Sequence, residues 1–242
     1  VLARRVACEL EAPLSSSLLL QRLKKANPLS NIFYVKNGSS VFLGSSPEIL
    51  IEFKENILHT EAIAGSRKRG ETAELDFELE QELLASIKEI NEHKSVVDFL
   101  ISNLEIFSSG INYASTPTVK KLATIQHLST GITATLKSGV SLLNVVETIF
   151  PTPAVCGNPK SEALTLIEEL EDFDRGLYGG LVGWYSATAA KLIVAIRSTL
   201  INKKNIYLYA GCGIVEGSNP ESEFNETEIK LRTILSAFNE KH

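Results

Sequence analysis

The chain has 242 residues, 44% of them hydrophobic and 22% charged, with a formal net charge of −5. This is a soluble globular composition with ample apolar material for a core, and the length suits one large domain or two small ones. The negative balance argues against a general nucleic-acid or anionic-membrane binder, no apolar run approaches the roughly 18 residues of a membrane span, and three scattered cysteines (Cys8, Cys156, Cys212) suggest a reducing compartment without disulfides or a zinc site.

Residues 1–10 read as a strand, and 15–26 as a leucine-rich helix that ends before Asn27-Pro28. Short strands are expected at 32–35, 41–43, 49–53 and 57–60, separated by turn signals such as Asn37-Gly38-Ser39-Ser40. Residues 76–107 carry the strongest helical pattern. Leu79, Leu83, Leu84, Ile87, Ile90, Val96, Val97, Leu100 and Leu104 recur every three or four positions over most of that length, which predicts one long helix. Strands follow at 119–128 and 131–136, helices at 141–149 and 161–171, and strands at 180–185, 191–200 and 205–209. A last helix opens at Pro220 and finishes the chain. Strands and helices mix without regular βαβ alternation, which favours an α+β fold with mainly antiparallel sheets.

The stretch 210–230 draws the chemistry together. Gly211-Cys212-Gly213 reads as a tight turn where a backbone can approach a ligand. Glu223, Glu226 and Lys230 then share one helix face. On the long helix Glu89 and Glu92 share a face beside His93. Each set alone reads first as a solvated face with ordinary ion pairs. Brought together, four carboxylates from two helices would repel one another unless a cation lay between them, and oxygen donors in a partly hydrated site favour Mg²⁺.

Other candidates are distributed along the chain. Gly65 and Ser66, after the strand Thr60-Glu61-Ala62-Ile63-Ala64, form a small-residue turn that suits an anion or is a plain β-turn. Arg197 is a cation inside an apolar strand and needs a partner, either a ligand carboxylate or an internal salt bridge. Tyr178 lies in a glycine-flanked loop, with a hydroxyl for the same carboxylate or a merely packed ring. His127 sits at a strand end, where a lone histidine is more often structural than functional and the sequence alone assigns it no role. Glu48 in Ser46-Pro47-Glu48 precedes a strand, either as an acid in a pocket or as a turn carboxylate.

These motifs together resemble the chorismate-utilising enzymes, and among them the isochorismate synthases of menaquinone and siderophore pathways. The residues that carry the resemblance are Ser46-Pro47-Glu48, the segment from Thr60 to Arg67, Lys88-Glu89-Ile90-Asn91-Glu92-His93 and Gln126-His127-Leu128. They continue with Pro151-Thr152-Pro153-Ala154-Val155-Cys156-Gly157, Phe173-Asp174-Arg175-Gly176-Leu177-Tyr178, Val194-Ala195-Ile196-Arg197-Ser198, Tyr209-Ala210-Gly211-Cys212-Gly213 and Pro220-Glu221-Ser222-Glu223-Phe224-Asn225-Glu226. Any one of these is weak; in register over nearly the whole chain they are specific.

The resemblance implies a two-sheet antiparallel core with helices packed outside, like that of anthranilate synthase component I. It implies a single catalytic domain over residues 1–242, truncated at its N-terminus relative to the family. It implies Mg²⁺ held by Glu92 and Glu226, with Glu89 and Glu223 supporting through water. The ring carboxylate of chorismate would sit near Gly65 and Ser66. The pyruvyl carboxylate would meet Tyr178, Arg197 and the Gly211 backbone, with His127 and Lys230 close by. Glu48 matches the acid that protonates the departing C4 hydroxyl while water adds at C2. The matching general base is a Lys just before the strand that starts at Val1, and this sequence begins after that point. Ala64 stands where aminodeoxychorismate synthases carry a nucleophilic Lys, which disfavours that branch. A cytoplasmic monomer with no nucleic-acid or membrane partner is expected. A salicylate synthase, and a silent module that binds chorismate or metal without turnover, are the rival readings.

Overall fold

The computed structural model describes residues 1–11 and 14–238. In chain order the elements are β1 (Leu2–Glu9), α1 (Ser16–Ala26), β2 (Asn31–Asn37), β3 (Ser40–Ser46), β4 (Ile49–Lys54), β5 (Ile57–Lys68), α2 (Ala73–Ala85), α3 (Ile87–Glu105) and β6 (Ser108–Tyr113). They continue with β7 (Thr118–Lys121), β8 (Ile125–Leu136), α4 (Leu142–Ile149), α5 (Lys160–Leu170), β9 (Leu181–Tyr185), β10 (Ala189–Val194), β11 (Ser198–Asn202), β12 (Asn205–Cys212) and α6 (Pro220–Phe238). The strands form two antiparallel sheets. One has five strands in the order β1-β12-β11-β3-β2; the other has seven, β6-β8-β5-β4-β10-β9, with β7 added on β8.

Alternation along the strands decides which face meets which helix. Leu58, Ala62 and Ala64 of β5 and Ile132, Ala134 and Leu136 of β8 bury against Val96, Leu100 and Leu104 of α3. Leu43, Ile206, Leu208 and Ala210 of the five-stranded sheet bury against Leu19 and Leu23 of α1 and Leu231 and Ile234 of α6. Phe33, Phe42, Ile193 and Ala195 form a smaller core. Each fully buried leucine contributes roughly 2 kcal/mol. The result is the α+β architecture expected, with helices outside two mainly antiparallel sheets. Among the described residues no helix is long and apolar enough to cross a membrane.

Several local expectations differ from the structure, each for a physical reason. The long helix is two: Ser86 turns extended (ψ 109°) and its Oγ caps α3 by accepting from Glu89 N at 3.5 Å. In the sequence apolar residues continue past the break, but Ile87 just after it is exposed and the first turns of α3 bury Glu89 and His93 instead. The polar strand β6 was absent from the expectation, and β8 runs unbroken through Gly131, so the turn falls at 122–124 rather than near residue 130. Residues 191–200 are two strands in different sheets, with Arg197 at the crossing. The supposed turn at Gly211 is strand as far as Cys212. Gly65-Ser66 is a bulge inside β5, with Gly65 at φ 76°, and no turn ends that strand. The last helix follows as expected to Phe238; residues 239–242 lie outside those described.

Candidate active site

Two chain crossings between the sheets build the site. Pro47-Glu48 carries the chain from β3 to β4, and Ala195-Ile196-Arg197 carries it back from β10 to β11. The crossings are tied to each other: Val194 N donates to Glu48 O at 3.1 Å, and Ser45 N donates to Arg197 O at 3.0 Å. Arg197 sits at φ 51°, a left-handed conformation that costs a side-chain-bearing residue about 1–2 kcal/mol. A Cβ on Gly44 would lie 2.8 Å from its carbonyl oxygen, so glycine is required opposite the corner.

The buried Arg197 guanidinium has two neutral partners. Nη2 donates to His127 Nε2 at 2.9 Å and Nη1 to Thr233 Oγ1 at 3.4 Å. Because Nε2 must accept, we assign the His127 proton to Nδ1, which donates to Gly65 O at 3.1 Å and lies 3.0 Å from Ser66 Oγ. Burial, with Arg197 and Lys230 alongside, lowers His127 to about 3, so the ring stays neutral. Among the described residues no carboxylate lies within ion-pair distance of Arg197. Burial lowers its pKa to about 10 against the pull of Glu226, Tyr178 and Glu48. The internal salt bridge weighed from sequence is not there.

Tyr178 is buried and stacks on Tyr209, ring centroids 5.3 Å apart and planes at 15°. Its hydroxyl lies 3.0 Å from where a Cβ on Gly211 would stand, so Gly211 is bare where the phenol approaches. Lys230 Nζ donates to Gly211 O at 2.9 Å and pairs with Glu226 Oε1 at 2.5 Å. Glu48 is buried; its N–H donates to Ser46 Oγ at 3.2 Å and its Oε1 accepts from Thr152 Oγ1 at 3.4 Å. Burial pushes its carboxyl up to about 7; Thr152, Lys230 and Arg197 hold it down and Glu61 adds to the rise.

The glutamates converge from the starts of two helices. The bulge at Gly65 turns Ser66 N–H toward α3, where it donates to Glu89 Oε2 at 2.9 Å. Lys88 Nζ donates to Glu89 Oε1 at 3.2 Å and to Glu223 Oε1 at 2.7 Å. Glu223 Oε2 is buried without a partner. Burial, then the neighbouring Glu226 carboxylate, push Glu92 up to about 7. Burial alone would raise Glu226 as well, but Lys230 outweighs it and holds that group at about 2.

One cavity brings together Glu48, Gly65, Ser66, Glu92, His127, Tyr178, Arg197, Gly211 and Lys230, with Val1, Ile63, Ala64, Ala154, Val155 and Gly213 in its wall. Glu89, Glu223 and Glu226 line an adjoining cleft with Ser66, Arg67 and Lys88. Among the described residues no group of three or more His, Cys, Asp and Glu side chains is gathered closely enough to hold a metal ion by itself. The donor set nevertheless suits a hard divalent cation: it is all carboxylate oxygen, one oxygen is orphaned, and Glu92 and Glu226 repel each other. Thr152 and Lys88 had no assigned role from sequence, although both fall within the motifs quoted above; Gly213 was read only as part of a glycine turn.

Gly213 carries a prediction. A Cβ there would lie 2.3 Å from Glu92 Oε1, so Gly213→Ala must push the Glu92 carboxylate aside. Because the displaced atom ends a flexible side chain, we expect thermal unfolding to shift by under about 3 °C. Divalent-ion affinity measured by titration calorimetry should fall about tenfold.

A buried cation without a counter-charge, facing a protonatable carboxyl across one cavity, is an arrangement suited to a small carboxylate ligand. The chain belongs to the family described as chorismate binding enzyme, whose model matches residues 1–239. It is 40% identical over 218 residues to anthranilate synthase component 1 of Saccharolobus solfataricus, covering 89% of this chain and 52% of that protein. It is 36% identical over 238 residues to the isochorismate synthase MenF of Bacillus subtilis, covering 98% and 50%. MenF, the menaquinone-specific isochorismate synthase from Escherichia coli, superposes with a TM-score of 0.90 at 30% identity, over 98% of this chain and 55% of that one. The chain thus spans about half the length of these relatives.

Proposed function

We propose that the protein isomerises chorismate to isochorismate, with Mg²⁺, by adding water at C2 and expelling the C4 hydroxyl. The observation that carries this reading is Glu48: a buried carboxyl with its pKa raised to about 7, in the cavity that also holds the unpaired Arg197. Arg197 and the Tyr178 hydroxyl bind the pyruvyl carboxylate beside the Gly211 backbone. Neutral His127 accepts from Arg197, which keeps the guanidinium aimed at the cavity. Ser66 and Gly65 line the end nearest the glutamates, where the ring carboxylate belongs. Glu48 gives its proton to the leaving C4 hydroxyl, which departs as water; the water that adds at C2 loses a proton to a base, so the sum is an isomerisation. The resemblance puts that base, a Lys, just before Val1, and Val1 lines the cavity. Mg²⁺ held by Glu92 and Glu226, with Glu89 and Glu223 behind them, supplies charge neutralisation for the ring carboxylate. The alanine at position 64 leaves the cavity without the nucleophilic Lys of the aminodeoxychorismate branch. The identity to an anthranilate synthase keeps ammonia addition as a second reading.

Incubating the full-length protein with chorismate and Mg²⁺ separates these. Isochorismate without pyruvate supports the proposal. Salicylate with stoichiometric pyruvate, or anthranilate when ammonia is supplied, replaces it. Bound chorismate with no turnover makes the protein a silent module. Glu226→Ala should weaken Mg²⁺ binding at least tenfold by calorimetry and raise the Mg²⁺ concentration needed for half-maximal rate in step. An unchanged metal titration refutes Glu226 as ligand.

A further inference from the structure

The face of the seven-stranded sheet that carries His127 has a second polar group beside the cavity that none of the foregoing chemistry uses. Lys120 on β7 pairs in register with His127 on β8, so both side chains stand on one face. Lys120 Nζ donates to Glu61 Oε2 at 2.6 Å and to the backbone oxygen of Pro47 at 3.0 Å. Glu61 lies on β5 two residues before Ile63, which lines the cavity, and its Oε1 accepts from Ser129 Oγ at 2.6 Å. Pro47 has no N–H, so its carbonyl is the one polar backbone group by which that residue can be held. Next to it stands Glu48.

The crossing that bears Glu48 is therefore fixed at three points. Ser46 Oγ holds the Glu48 N–H, Val194 N–H holds the Glu48 carbonyl, and Lys120 holds the carbonyl of Pro47. Lys120 is the only charged anchor, and Glu61 with Ser129 fixes where its ammonium points. We propose that the Lys120–Glu61 pair is a positioning pair for Glu48: Lys120 clamps the Pro47 carbonyl so that the Glu48 carboxyl is aimed into the cavity, and Glu61, held by Ser129, fixes the Lys120 ammonium and sets its own negative charge beside the crossing. This rests on the reading of Glu48 as the acid. Neither Lys120 nor Glu61 lines the cavity itself; Lys120 reaches it only through the Pro47 backbone.

The charges around Glu48 come from three elements. Glu61 on β5 opposes its ionisation, while Lys230 on α6 and Arg197 at the crossing between β10 and β11 favour it. Burial is the main cause of the raised Glu48 pKa, and Glu61, the only carboxylate among these three, adds to it against the two cations. The pair itself is partly exposed, with side-chain accessibilities of 25% and 21%, so its removal leaves a site that water can fill and the core intact.

The test is made in the full-length protein with Lys120→Met, Lys120→Arg and Glu61→Gln. The readouts are kcat, KM for chorismate, the pH profile, the melting temperature and the Glu48 carboxyl titration by ¹³C NMR without substrate. Lys120→Met should lower kcat about tenfold with KM within about twofold, and Lys120→Arg should recover kcat to within about threefold. Glu61→Gln should move the alkaline limb of kcat and the Glu48 titration together to lower pH, by about half a pH unit. Wild-type kcat and pH profile in both Lys120→Met and Glu61→Gln overturn the proposal. So does a loss of kcat in Lys120→Met that tracks a lower melting temperature and is not recovered by arginine. Glu48→Gln measured beside them keeps the two ideas apart. Wild-type turnover in that variant defeats the acid assignment, whereas an unmoved Glu48 titration in Glu61→Gln defeats the coupling by itself.

Discussion

Glu48→Gln is expected to lower kcat by about 10³-fold or more while chorismate affinity, measured by calorimetry, stays within about twofold. Glutamine keeps the shape and can still accept from Thr152 Oγ1, but it has no proton to give. The wild-type rate should fall as pH rises through about 7, because only the protonated carboxyl can serve the leaving hydroxyl. The same substitution should stabilise the chain in alkali. The folded protein keeps the Glu48 proton up to about pH 7 and the unfolded chain only to about 4.5, so wild-type stability is lost as pH rises between those values. By that difference Glu48→Gln should be more stable than wild type at pH 8, on the order of 3 kcal/mol at most. A slow variant that is also less stable at pH 8 would mean Glu48 is a structural group. Activity near wild type would remove it as the acid.

The strands and helices with a clean apolar period were legible from sequence, as were the residues in quoted motifs. What was not legible is where the chain changes sheet. Ala195 and Ile196 are as apolar as the residues of β10 before them, because both sheets bury that region, so nothing in the pattern marks Arg197 as a corner. Gly211 misled in the opposite direction. Glycine is a turn signal by default, yet here it lies inside β12 and is bare because the Tyr178 hydroxyl packs on it. The restart of the helix at Ser86 was hidden for a third reason: a serine cap is one residue, and the apolar period continues across it. These misses concern the site more than the core. The crossing aims Arg197, the bare glycine admits Tyr178, and the restart places Glu89 in the first turn of α3, where the bulge at Gly65 presents Ser66 N–H to it. Lys120 had no signal, since its role depends on β7 lying beside β8.

Arg197→Met should raise the dissociation constant for chorismate about 100-fold or more, because a ligand carboxylate loses a charge-assisted pair in a dry cavity. Its effect on folding separates a binding residue from a structural one. Breaking an internal salt bridge would leave a buried carboxylate stranded and cost roughly 3–5 kcal/mol. Arg197 has no such partner, and burial lowers its pKa from 12.5 to about 10, so the group stays charged below about pH 10 and holding that charge costs the folded chain stability throughout that range. Relief of that penalty, on the order of 3 kcal/mol, opposes the loss of the donor to His127 Nε2, worth roughly 1–3 kcal/mol. The two nearly cancel, so the variant should melt within about 4 °C of wild type without ligand. It should also lose most of the melting shift that chorismate gives the wild type. A collapse of the apo melting temperature would make Arg197 structural. Arg197 is also one of the two cations that hold the Glu48 carboxyl down, so in Arg197→Met the Glu48 titration should move to higher pH. The alkaline limb of whatever activity remains should move with it. On this reading the same guanidinium would hold the substrate carboxylate and also help set the pH at which Glu48 gives up its proton.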